Sequence, residues 1–169
     1  MLRLPHDDAL IDIMQRLNDL QPDSLVADTS VALALAEEQI AAHLQIGPQA
    51  LICTSLTLSD VDRRRLRDAF GVAPRCVLGS PETGALGAEC GMSPGVHLDE
   101  DLAIVETVDE ANRPVPTGEP GAKILVTVLF SRTVPLIRYE LAEPARLLDG
   151  PCPCGRDTPR LDRLGDACD

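Results

Sequence analysis

The chain has 169 residues and a formal net charge of −12, from 27 acidic and 15 basic side chains. Because nucleic-acid binding depends on clustered Lys and Arg, this balance argues against a nucleic-acid partner, and it equally opposes binding to an anionic membrane surface. No apolar run approaches the length of a membrane span, and Asp7 and Asp8 stand where the apolar core of a secretory signal would begin. Six cysteines in a chain of this size indicate reduced thiols, so the cytoplasm is the expected compartment.

Helices and strands alternate through the first half of the chain. Ser30 is the expected N-cap of the second helix, and Ser59 with Asp62 three residues later predicts a capping box in front of the third, which Gly71 would end. Strands separated by helices of this length pair in parallel through crossover connections. The expected helices cover residues 8–20, 30–44 and about 59–71, and the expected strands are Leu25–Ala27, Ala50–Thr54 and Arg75–Leu78.

The pattern changes after about Gly84 to short β-rich runs separated by turn residues, which predicts a small antiparallel sheet or partial barrel. We therefore expect an α/β fold, with a short parallel sheet and flanking helices followed by a small antiparallel β-sheet or partial barrel. The expected divisions are an α/β core over 1–84, an antiparallel β subdomain over 85–150, and a cysteine-rich loop and tail over 151–169. The β-rich runs are Leu102–Val108, Lys123–Phe130 and Leu136–Leu141.

The loop Gly79–Gly84, which follows the strand at Arg75–Leu78, contains two glycines, two hydroxyls and one carboxylate. Hydroxyls suit phosphate oxygens, a carboxylate suits Mg²⁺, and an open α/β sheet binds its ligand beyond the carboxyl ends of its strands. Ser55 would then open onto the same crevice. On these residues alone, an ordinary turn with a solvated Glu82 is the simpler interpretation.

A second group of residues has the chemistry of a metal site. Cys90, His97, Cys152 and Cys154 offer three thiolates and an imidazole, which suit a closed tetrahedral zinc site of a structural kind. The alternative is a set of unrelated buried thiols and one surface histidine. We favour zinc, because Cys-Pro-Cys-Gly is a poor core segment, and we expect the metal to pin the C-terminal loop to the sheet.

Six segments occur in an order and spacing that is specific as a set: Gly79–Gly84, Glu89–Cys90, Gly95–His97, Pro114–Glu119, Pro135–Tyr139 and Pro151–Arg156. From about Leu10 to the last residue, the chain thereby resembles the phenylacetate–coenzyme A ligase branch of the adenylate-forming enzymes. The resemblance implies ATP-dependent activation of a carboxylate to an acyl-adenylate, then coenzyme A thioester formation, with ATP and Mg²⁺ as cofactors. It also implies that the segments holding the cysteines lie near each other.

The resemblance also implies roles for single residues. The run Gly79-Ser80-Pro81 would lie along the adenine, Glu82 would hold Mg²⁺, and Thr83 would hydrogen-bond the α-phosphate, so Glu82 and Thr83 are the candidate catalytic residues. Two positions depart from the family pattern. Leu78 replaces a Tyr that packs on adenine, and Glu143 replaces an Asp that binds the ribose hydroxyls.

Other parts of the family's catalytic apparatus have no counterpart in the sequence. No Ser/Thr/Gly-rich phosphate loop occurs in 1–47, Asp166 replaces the hinge arginine, and Lys123 is the only lysine. The resemblance therefore implies a partial adenylation domain that is not competent alone and, if active, ligates an acid to coenzyme A together with a partner subunit. The alternative is a non-catalytic, zinc-stabilised binding or interaction module. Expected partners are a nucleotide or acyl-adenylate and a second copy or complementary subunit, with Ser55 and Leu56 lining the pocket of an undefined acyl substrate.

Overall fold

The structure is a computed structural model that describes residues 8–54 and 58–164. The positions Ser55, Leu56 and Asp166 lie outside the described residues. The chain divides into two compact units, of which the first takes in the described residues up to Pro74 and the second those from Arg75 onward. None of the helices in the described ranges has the length and apolar character that a membrane span requires.

The first unit alternates helices and strands, as the sequence predicts. Its two strands pair in parallel, with Leu25 opposite Leu51, and the helix between them makes the crossover. Apolar side chains from all three helices and both strands are buried in its core, including Leu17, Leu35 and Leu66. The elements are α1 (Leu10–Leu20), β1 (Ser24–Ala27), α2 (Thr29–Ile40), β2 (Ala50–Cys53) and α3 (Asp60–Phe70).

The helix starts follow local side-chain chemistry. Ser59 caps α3 as predicted, since its hydroxyl accepts from the Asp62 N–H at 3.1 Å and donates to the Asp62 carboxylate at 2.6 Å. Gly71 ends α3 with a φ of 73° in the left-handed region. The N-cap of α2 is Asp28 rather than Ser30, because the Asp28 carboxylate accepts from both the N–H and the hydroxyl of Ser30.

The second helix is shorter than predicted, ending at Ile40 instead of Leu44. The reason is a contact with α1 that local sequence does not encode. Asn18 of α1 donates to the His43 carbonyl at 3.1 Å and accepts from the Gln45 N–H at 2.8 Å. These bonds satisfy backbone groups that a longer helix would have paired internally.

The second unit contains two antiparallel sheets. The first has the strand order β3-β4-β5-β10-β9, and the second has the order β6-β7-β8. Together with the parallel pair of the first unit, they confirm the predicted fold class. The strands are β3 (Pro74–Ser80), β4 (Gly84–Glu89), β5 (Val96–Leu98), β6 (Ala103–Val108), β7 (Lys123–Val128), β8 (Tyr139–Leu141), β9 (Ala145–Leu148) and β10 (Arg160–Arg163).

Two features of the second unit differ from the sequence expectation. We expected the strand β3 to end at Leu78, but it runs through Ser80 and turns back to pair antiparallel with β4. We also expected a tail after residue 151, but Arg160–Arg163 forms β10, which pairs with both β5 and β9. The core between the sheets includes Leu78 and Leu161. The Gly79–Gly84 loop is thus the tip of a hairpin.

Candidate metal centre and the Gly79–Gly84 loop

The four residues predicted as metal ligands come together in the second unit, where we call them the Cys/His cluster. Cys90 directly follows β4, His97 is the central residue of β5, and Cys152 and Cys154 lie in the connection from β9 to β10. Their ligand atoms all lie within 4.8 Å of one another. Three of the four residues are buried, and Cys154 is partly exposed.

The spacing inside the Cys/His cluster suits a small tetrahedral cation. The sulfur atoms of Cys90 and Cys152 are 3.6 Å apart, and the sulfur of Cys154 lies 3.4 Å from Nε2 of His97. Zn–S bonds of about 2.3 Å in a tetrahedron place sulfur atoms about 3.8 Å apart, and the shorter Zn–N bond brings nitrogen closer. The donor atoms therefore need only small adjustments to bind zinc.

A residue outside the sequence prediction orients the imidazole of His97. The Oγ1 atom of Thr158 lies 3.1 Å from Nδ1, on the side of the ring away from Cys154. In the tautomer with the proton on Nδ1, the Nδ1–H group donates a hydrogen bond to Thr158, and the lone pair of Nε2 faces the thiols. This is the tautomer that binds metal through Nε2. No motif marks Thr158, because its role depends on where β10 joins the sheet.

Hydrogen bonding favours the thiolate form of one cysteine. The N–H of Met92 donates to the sulfur of Cys90 at 3.4 Å and lowers the pKa of that thiol, with help from Cys152, to about 6. The N–H of Cys154 acts in the same direction on Cys152, but burial and the neighbouring sulfurs outweigh it and raise the pKa of Cys152. The pair therefore holds a proton that a bound metal would displace.

Glycines shape the loops that present the cysteines. Gly91, next to Cys90, has a φ of 76°, and Gly155, next to Cys154, has a φ of 82°. The N–H of Gly155 donates to the carbonyl of Cys152 at 3.0 Å and closes a turn around the Cys-Pro-Cys run. Side chains other than glycine are strained at such angles, so these turns depend on the glycines.

The Gly79–Gly84 loop uses its own hydroxyls. The backbone N–H of Ser80 donates to Oγ1 of Thr83 at 3.1 Å, and the N–H of Thr83 donates to the Ser80 hydroxyl at 3.2 Å. The Thr83 hydroxyl also donates to the Gly84 carbonyl at 3.1 Å, and Thr83 is almost fully buried. Pro81 and Glu82, at the tip, are exposed, and the Ser80 hydroxyl lowers the pKa of Glu82.

The loop is closely packed at its base. A β-carbon on Gly79 would lie 2.3 Å from the carbonyl oxygen of Gly84, so only glycine fits there. Leu78 is buried in the core and therefore offers no face to a ligand. A β-carbon on Gly84 would lie 3.7 Å from the ring of Phe130, an exposed residue of the β7–β8 connection that the sequence did not mark as a site residue.

Glu143, which the resemblance places on the ribose hydroxyls, forms an ion pair within the second unit. It lies between β8 and β9, where its carboxylate forms an ion pair with Arg163 of β10. The side chains are only 18% and 15% exposed, respectively. Their contact is an ion pair without hydrogen-bond alignment, because Oε2 of Glu143 has no hydrogen-bond partner among the described residues.

The fold is that of a segment of the adenylate-forming coenzyme A ligases. No family model matches the chain. A 2-hydroxyisobutyryl-CoA ligase, solved in an open conformation with 2-HIB-AMP and CoA, has a TM-score of 0.80 at 24% identity over 90% of this chain and 35% of the ligase. NpsA-ThdA, a fused adenylation–PCP di-domain from Klebsiella oxytoca, has a TM-score of 0.60 at 11% identity over 94% of this chain and 31% of that protein.

One curated protein is similar to the chain in sequence. The phenylacetate-coenzyme A ligase of Escherichia coli (strain K12) is 28% identical over 166 residues, which cover 92% of this chain and 36% of the relative. The chain thus spans about a third of the length of the curated relative that it matches. The resemblance predicted from the sequence is confirmed: over most of its length the chain is similar to one part of a phenylacetate-coenzyme A ligase, and it has the fold of the corresponding part of adenylate-forming coenzyme A ligases.

Proposed function

We propose that the chain contributes a zinc-stabilised sheet and the Gly79–Gly84 loop to ATP-dependent carboxylate activation, and that further polypeptide supplies the rest of the active site. The observation that carries the proposal is the match of 90% of the chain to a ligase solved with an acyl-adenylate, at a TM-score of 0.80. The curated relative is a phenylacetate-coenzyme A ligase, so the acid–coenzyme A ligation reaction is the one proposed. Its acyl substrate stays undefined.

The role proposed for the loop rests on Glu82. Its carboxylate is exposed at the tip, and the Ser80 hydroxyl lowers its pKa, so it is ionised at neutral pH. An exposed carboxylate of this kind suits Mg²⁺, which in adenylate formation neutralises charge on the phosphates. The internal bonds of Thr83 hold the hairpin that presents Glu82, and this hydroxyl would have to exchange a partner to reach an α-phosphate.

Zinc is the metal proposed for the Cys/His cluster. Three thiols and an imidazole within 4.8 Å fill all four positions of a tetrahedral zinc ion and leave none for water. Such a site is structural. It would tie the end of β4, the middle of β5 and the β9–β10 connection to one point, and it would stabilise the sheet that carries the Gly79–Gly84 loop.

The function can be tested by binding and by exchange. Titration calorimetry with a non-hydrolysable acyl-adenylate analogue and Mg²⁺ should detect binding to the chain. Glu82→Gln should reduce the gain in affinity for the analogue that Mg²⁺ provides by at least about 10-fold, because a charge-assisted contact is lost. Glu110→Gln, in an exposed turn away from the loop, is the matched control.

Carboxylate-dependent ATP–pyrophosphate exchange should appear only with complementary polypeptide, and absence of both binding and exchange would refute the enzymatic proposal.

A non-catalytic, zinc-stabilised module is the second candidate. The ion pair between Glu143 and Arg163 favours it, because it occupies the carboxylate that the resemblance places on the ribose. Burial of Leu78 in the core favours it as well. Native mass spectrometry distinguishes the two candidates. If the chain retains one zinc ion but binds no adenylate, either alone or with a partner subunit, the non-catalytic module is the correct candidate.

Self-association or a complementary subunit is part of both candidates. Four apolar side chains in and around the β7–β8 connection are more than half exposed, and this clustering is a common mark of an interaction surface. Sedimentation velocity should show a dimer, or a complex once the partner is present. A monodisperse monomer under both conditions would contradict the proposal. The four residues are Leu129, Phe130, Val134 and Ile137.

A further inference from the structure

Arg160 is a buried cation whose hydrogen-bond partners are all neutral. The side chain is 7% exposed, and its guanidinium donates to the Ser93 hydroxyl at 2.6 Å and to the Pro94 carbonyl at 3.4 Å. The other terminal nitrogen donates to the carbonyls of Asp149 and Gly150, at 3.3 and 3.2 Å. Among the described residues, no carboxylate forms an ion pair with Arg160. Burying a charge in this way is costly unless something else nearby compensates it.

The partners of Arg160 lie on the loops that hold the Cys/His cluster. Two acceptors come just after Cys90 in the chain, and the other two come just before Cys152. The backbone of Arg160 is also paired with His97 across the β10–β5 ladder. One residue therefore connects all three segments that supply ligands.

We propose that Arg160 is a positioning residue of the metal centre, a role that rests on the zinc site proposed above. The planar guanidinium has donors in a fixed fork, so it sets the spacing between the two cysteine loops as a flexible ammonium cannot. Zinc bound by three thiolates and a neutral imidazole carries one net negative charge. The positive charge of Arg160 balances that charge inside the same group of loops.

The first test compares zinc affinities of full-length variants by competition with a chromophoric chelator. Arg160→Met keeps the aliphatic stem but loses the fork and the charge, and we expect zinc affinity to fall about 10–100-fold, as for other residues that support metal ligands. Arg160→Lys keeps the charge but bridges fewer acceptors, so we expect a smaller loss. Arg146→Gln is the matched control, because Arg146 on the adjacent β9 pairs with Asp162 and should leave zinc affinity unchanged.

The second test separates positioning from a general effect on folding. The melting temperature of each variant is measured with saturating zinc and with excess chelator. If Arg160 positions the metal ligands, Arg160→Met should reduce the rise in melting temperature that zinc causes. If Arg160 only stabilises the fold, the variant should lower the melting temperature equally with zinc and with chelator. Equal losses, or zinc affinity like that of the unchanged chain in both Arg160 variants, would overturn the inference while leaving the zinc site standing. If the chain without any substitution binds no zinc, both the zinc site and the role of Arg160 are wrong.

Discussion

The Cys/His cluster and the Gly79–Gly84 loop are both short motifs of the second unit, but they differ in what they leave available to a ligand. In the cluster, side chains from separate strands and loops converge, and three of the four are buried. In the loop, the Ser80 and Thr83 groups bond to each other, and the tip alone faces solvent. The cluster therefore brings four potential metal donors within 4.8 Å of one another, whereas the hydroxyls of the loop stabilise the hairpin itself and only Glu82 remains available to a ligand.

Removal of the proposed zinc ion tests the Cys/His cluster, and it has the largest expected effect. A metal present at 1,000 times its Kd stabilises the folded state by about 4 kcal/mol. For a chain of this size, that corresponds to a fall in Tm of about 8–16 °C on chelation. Differential scanning calorimetry checks this, and Cys152→Ser should melt at the low temperature whether or not chelator is present. If chelator leaves the Tm of the chain without substitutions unaltered, the chain has no structural metal.

The ion pair at Glu143 tests whether that carboxylate is committed to the fold. Arg163→Gln leaves a mostly buried carboxylate without its cation and should lower the free energy of unfolding by up to about 3 kcal/mol. Arg65→Gln breaks the exposed pair with Glu37 and should cost less than about 1 kcal/mol. Urea denaturation measures both. Equal small effects would show that Glu143 is free to serve a ligand instead.

Alanine substitutions at two glycines perturb the backbone to a similar degree, one in a strand beside the Cys/His cluster and one in the Gly79–Gly84 loop. A β-carbon on Gly87 would lie 2.1 Å from the carbonyl oxygen of His97, and one on Gly79 would lie 2.3 Å from that of Gly84. Each alanine variant should lose about 1–3 kcal/mol because backbone must move. Gly87→Ala should also weaken zinc binding, since it displaces the strand that carries His97, whereas Gly79→Ala should not. Equal effects on zinc affinity would mean that the two regions are coupled.

The smallest expected effect concerns the tip of the hairpin. The Ser80 hydroxyl lowers the pKa of Glu82, so the ionised form is favoured in the folded chain, and this contribution is lost as pH falls through that lowered pKa. Ser80→Ala should move the pKa of Glu82 back toward its ordinary value, with Asp109 as an internal reference. Carboxyl NMR titration measures both groups. A pKa of Glu82 that does not move would mean that the hydroxyl serves only Thr83.

The sequence predicts elements well where one segment carries its own signals. Ser59 and Gly71 mark both ends of α3 correctly, because a cap depends on neighbours in the chain. The C-terminal end of α2 is missed, since Asn18 of another helix captures the backbone there. The strand β4 is missed because its Gly-Ala-rich segment has little β propensity, and it forms through pairing with β3 and β5.

The same distinction holds for the candidate site. The four residues of the Cys/His cluster could be predicted as a group because thiols and imidazoles carry metal-binding chemistry in any fold. Thr158 and Arg160 could not, because a hydroxyl and a guanidinium in a stretch rich in charges gain their roles only once β10 lies beside β5. The ion pair between Glu143 and Arg163 depends on the same placement.

The position of β10 inside its sheet also bears on how the protein is made. This strand comes late in the chain, yet it lies between β5 and β9, which are synthesised before it. Until Arg160–Arg163 leaves the ribosome, β5 and β9 each have an unpaired backbone edge, and such edges recruit strands from other chains. The nascent polypeptide thus passes through an interval in which the free edge of β5 is open to intermolecular β pairing, and insertion of β10 covers that edge.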